Sequence, residues 1–84
     1  MRISFVVHVR NTLGRKAEVV LEPYGDVVAL EPNEGVDIKA EGPDASEGRD
    51  GGFLQVDIEE GAIVVWGWSR GHFEIDRASK RLHK

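Results

Sequence analysis

Apolar and polar residues alternate with a period of two along most of the chain. From Arg2 to Arg10, Ile3, Phe5, Val7 and Val9 fall on one side and Ser4, Val6, His8 and Arg10 on the other, the pattern of a half-buried strand. The β-branched density of this run disfavours a helix. Asn11 to Lys16, with Gly14 among polar residues, reads as a turn or loop. Alternation resumes at Ala17, with Ala17, Val19 and Leu21 inward, and stops at Pro23, which has no N–H to give to a ladder.

Pro23-Tyr24-Gly25-Asp26 is a turn in which proline presets one φ and glycine is free to take a positive one. A short strand, Val27 to Glu31, and a second turn, Pro32-Asn33-Glu34-Gly35, precede the alternating Val36, Ile38 and Ala40, so Val27 to Glu41 is expected to close as a hairpin. Gly42 to Gly52 has four glycines, one proline and a single aliphatic side chain, Ala45. Burial there cannot repay the entropy of ordering, and a flexible loop is expected. Phe53 to Ile58 resumes as a strand with Leu54, Val56 and Ile58 inward, and Glu59-Glu60-Gly61 turns the chain again.

Ala62 to Arg77 carries the plainest geometry: two strand-like runs flank Ser69-Arg70-Gly71, which is hairpin-turn chemistry. A two-residue loop at Arg70-Gly71 sets Trp68 against Phe73 and Trp66 against Ile75, pairs that stabilise a sheet by roughly 0.2–1 kcal/mol each. A three-residue loop would set the tryptophans against His72 and Glu74, a poorer match. The tail from Ala78 to Lys84 is basic and expected to fray, with Leu82 available to dock. About seven short strands, with turn signals about every 8 to 12 residues, predict an all-β fold. The reading is a single antiparallel β-sandwich over residues 1–84, with a partly open β-barrel as the alternative.

Charge splits along the chain. Residues 1–17 hold four bases and no acid, while residues 18–60 hold thirteen acids against Lys39 and Arg49, a balance of −11. Residues 61–84 return to +3, within a net charge of −4. An acidic middle and basic ends suit an oppositely charged partner or a second copy, and equally suit plain solvation. The acidic balance argues against nucleic acid, which needs a basic surface with stacking aromatics. No cysteine is present, which fits a reducing compartment. Ser4, His8 and Arg10 interrupt the N-terminal apolar run, so neither a signal peptide nor a membrane span is expected and a cytoplasmic location is.

Catalytic and metal motifs are missing at the level of spacing. No serine sits in a G-x-S-x-G elbow, no phosphate-loop pattern occurs, and blue copper would need a cysteine. His8, His72 and His83 match no zinc spacing, and Asp44, Glu47 and Asp50 do not follow the EF-hand order. No catalytic residue, metal or cofactor is assigned, and the chain is expected not to be an enzyme. Trp66 and Trp68 could anchor an interface or stack on a sugar; packing of at least one in the core is the plainer expectation. Gly67 between them marks a bulge or a close approach to the backbone.

Glu22-Pro23-Tyr24-Gly25, the turn Pro32 to Gly35, and Val65-Trp66-Gly67-Trp68 resemble features shared by a group of short, uncharacterised bacterial proteins. These have an E-P-aromatic-G turn and a C-terminal V-x-G-W hairpin. The resemblance covers about residues 17–77 and implies a small β-sandwich with no assigned activity. Two functional expectations follow from the sequence. One is a protein-interaction module or homo-oligomeric subunit, using an open sheet edge or a tryptophan-bearing face. The other is a small-ligand binder, of carbohydrate above all, with Tyr24, Trp66 and Trp68 as its surface.

Overall fold

The computed structural model describes residues 2–43, 54–67 and 71–83. They form seven strands: β1 (Arg2–Arg10), β2 (Ala17–Glu22), β3 (Asp26–Leu30), β4 (Glu34–Pro43), β5 (Gln55–Glu59), β6 (Ala62–Trp66) and β7 (His72–Leu82). A three-stranded sheet, β1-β4-β7, packs on a four-stranded sheet, β3-β2-β6-β5, and the two do not close into a barrel. The expected all-β sandwich is the fold. Of the loop expected over 42–52, Gly42 and Pro43 belong to β4 and residues 44–52 lie outside the described residues.

Alternation builds the core. Val19, Leu21 and Val65 from the larger sheet meet Val36 and Ile38 from the smaller one, all with no accessible surface. Each such side chain contributes about 1.5–3 kcal/mol by leaving water. Leu21 and Val65 are register partners in the one parallel pair, β2 with β6, while the other pairs are antiparallel.

The strand pairing departs from two expected hairpins. β6 does not pair with β7: its two neighbours are β2 and β5, and Trp66 stands between Glu22 and Gln55 instead of facing Ile75. β7 belongs to the other sheet, where Phe73 pairs with Ala40 and Ile75 with Ile38. The apolar sides of β6 and β7 therefore meet through the core and not side by side. Gly67 sits at the crossing, since a Cβ there would overlap the ring of Phe73. Trp68 lies outside the described residues. Likewise β3 pairs with β2, and the turn after it carries the chain to the other sheet, where β4 runs between β1 and β7. The tight hairpins are β2–β3 and β5–β6.

Residues 78–82, expected to fray, continue β7, with Arg81 opposite Gly35 and Leu82 opposite Glu34. Between Asp76 and Arg81 the strand bulges, so that residues 77–80 stand against Val36 alone. Ser79 fastens the bulge: its Oγ accepts from Asp37 N at 2.7 Å and donates to Asp76 O at 2.5 Å. Arg77 donates to Val27 O at 3.1 Å, tying β7 to β3 across the sheets. Leu82 remains 60% exposed and does not dock.

Candidate interaction surface

The larger sheet has one strand more than the smaller can cover, and that strand is β5. Its register sets Val56 beside Val65 and Ile58 beside Ile63, so both point to the core-facing side. Yet Val56 is 48% and Ile58 85% exposed, where Val65 is 0%. A cleft of about 180 Å³ opens next to Ile58, lined by Leu13, Ala17, Ala62 and Ile63 together with Arg10 and Glu59. Leu13 is itself 44% exposed.

The rim of this cleft is polarised. Arg10 and Glu59 both line it; Arg15 and Lys16 belong to the β1–β2 loop and Glu60 to the β5–β6 turn. Glu18 N donates to Gly61 O at 3.0 Å and so holds the acidic turn against the start of β2. The β1–β2 loop is fixed by Asn11, which is 1% exposed. Its Nδ2 donates to Arg15 O at 2.9 Å and to Leu30 O at 3.0 Å, and its Oδ1 accepts from Leu13 N at 2.9 Å. A buried amide satisfied on both ends specifies one loop geometry. From the sequence Asn11 was only a loop residue, and nothing local distinguishes it.

Tyr24 and Trp66 serve different parts of the fold. Tyr24, in the β2–β3 turn, donates from its hydroxyl to Gly71 O at 3.1 Å and accepts from Phe73 N at 3.3 Å. Trp66 lies on the outer side of the larger sheet, 39% exposed, with Nε1 donating to Asp57 Oδ2 at 3.1 Å. Gln55 Nε2 also donates to Asp57, at 3.1 Å. Trp68, the third residue of the expected surface, is outside the described residues.

On the outer side of the smaller sheet two histidines meet. His8 and Asp37 are cross-strand partners, and His8 Nδ1 lies 2.7 Å from Asp37 Oδ1. A carboxylate only accepts, so Nδ1 carries a proton, and in the neutral ring the acceptor is Nε2. That atom faces His83 Nε2 at 3.0 Å, the rings meeting edge to face at 71° with centroids 4.9 Å apart. Gly35 lies beneath, where a Cβ would come within 2.8 Å of His83 Nε2 and 3.0 Å of the His8 ring. His83 is held from its backbone too, N donating to Asn33 O at 2.8 Å. Partial desolvation, then the charges of His8, Arg10 and Arg81, push the His83 pKa below the usual histidine value, with Asp37 acting the other way. The two residues are 75 positions apart, so no spacing rule could have joined them.

Among the described residues no three metal-ligating side chains gather, and no helix is long and apolar enough to cross a membrane. No protein-family model, curated protein or solved structure matches the chain.

Proposed function

We propose that the chain is a non-enzymatic interaction module that binds a second copy of itself through the uncovered end of the larger sheet. The observation that carries this reading is Ile58, 85% exposed on the side of the sheet where Val65 is fully buried. A large aliphatic on a core-facing position, continuous with Val56 and Leu13, is the kind of apolar patch that marks an interface. The rim favours a second copy as the occupant. Arg10 and Glu59 both line the cleft, so a two-fold axis that sets the base of one copy against the acid of the other would make a single patch complementary to itself. The lack of cysteine fits a cytoplasmic setting.

Light scattering tests the reading. The wild-type protein is expected to show twice its 9.3 kDa chain mass, and Ile58→Asp to restore the single-chain mass with an unchanged β-type circular dichroism spectrum. Because Ile58 contributes little to the core, the variant tests association and not folding. A single-chain mass for the wild type at millimolar concentration overturns it.

Trp66 supports a second reading. Its half-exposed indole, with Asp57 and Gln55 polar groups alongside, has the make-up of a sugar-stacking platform. A blue shift of tryptophan emission on adding glycans, lost in Trp66→Ala, would favour it; an emission unmoved by glycans sinks it.

A further inference from the structure

We infer that His8 and His83 form a two-imidazole site for a divalent transition-metal ion of tetragonal preference, copper(II) foremost. Asp37 Oδ1 accepts from His8 Nδ1 over 2.7 Å and so orients the ring with its Nε2 facing His83 Nε2, 3.0 Å away. Without a metal one ring donates an N–H to the other across this contact, and a cation that displaces the shared proton meets two imidazole nitrogens at once. A carboxylate on the far nitrogen of a ligating histidine is the usual outer-shell device, fixing the tautomer and raising ligand basicity.

The bite selects the ion. Two nitrogens 3.0 Å apart, each about 2.0–2.1 Å from a shared metal, subtend an angle of about 91–97°. That is a cis angle of a square-planar or tetragonal ion, and it is tight for tetrahedral zinc. The His8 side chain is 39% exposed, so the remaining positions of such an ion are open to water or an exogenous donor. The pair is also preorganised. Gly35 makes room where any side chain would collide with both rings, and the β7 bulge fastened by Ser79 precedes the segment that delivers His83. The ion would cross-link β1 to the end of β7 over the middle strand β4, so binding should stabilise the folded chain.

Calorimetric titration with copper(II) at neutral pH tests the inference. One equivalent is expected to bind, with His8→Ala and His83→Ala each weakening the affinity at least tenfold and the control His72→Ala leaving it unchanged. Asp37→Asn should cost about tenfold by freeing the tautomer. Electron paramagnetic resonance of the copper-loaded wild-type protein should show two imidazole nitrogens, a readout independent of any variant's folding. Absence of binding, equal affinity in the single-histidine variants, or a spectrum with fewer than two imidazoles overturns the site.

Discussion

His83 Nε2 lies 3.0 Å from His8 Nε2, a contact between the first strand and the residue that follows the last. The surroundings of His83 make stability depend on pH. The folded pKa of His83 is lowered, by desolvation first and then by His8, Arg10 and Arg81, so below about pH 6.5 the unfolded chain takes up more protons than the folded one. The contribution is complete above the unfolded pKa and lost as pH falls through that value to the folded one. Thermal unfolding of the wild type should therefore drop more between pH 7.5 and 5.5 than that of His83→Ala. Parallel pH profiles for the two would contradict it.

Asn11→Ala should be among the most damaging polar substitutions. It leaves the carbonyl of Leu30, in a buried hydrogen bond, without its donor, and releases Arg15 O and Leu13 N as well. A cost of about 2–3 kcal/mol follows, or roughly 10–20 °C in Tm for a domain of this size. The exposed neighbour Thr12→Ala should stay within about 0.5 kcal/mol. Urea unfolding of both variants checks the contrast.

Gly67→Ala should destabilise by about 1–3 kcal/mol, because its methyl enters the space of the Phe73 ring. The cost should shrink in a Phe73→Leu background, where the space opens. A double-mutant cycle measures this coupling, and simple additivity would mean that the ring has moved aside.

The inward and outward sides of β2 and β4 were legible because period-two alternation is a property of single residues: Val19, Leu21, Val36 and Ile38 are buried where the pattern puts them. Pairing was not legible. Trp66 and Ile75 look like ideal partners across Ser69-Arg70-Gly71, yet β6 already has β2 and β5 on its two edges, and Ile75 pairs with Ile38. Sequence adjacency cannot tell a hairpin from a strand that crosses between sheets, since both bury the same side chains. The site residues divide in the same way. Val56 and Ile58 were read as inward, and they do point inward, but their exposure depends on how many strands the facing sheet has. The histidine pair depends on the β7 bulge, which nothing before Ser79 signals.

The most direct test is a dilution series from millimolar to micromolar followed by methyl NMR. The methyl signals of Ile58, Val56 and Leu13 should move together as the dimer dissociates, while those of buried Val65 stay fixed. Signals independent of concentration in a protein tumbling as a 9.3 kDa particle, or shifts confined to the surroundings of Trp66, would contradict the account.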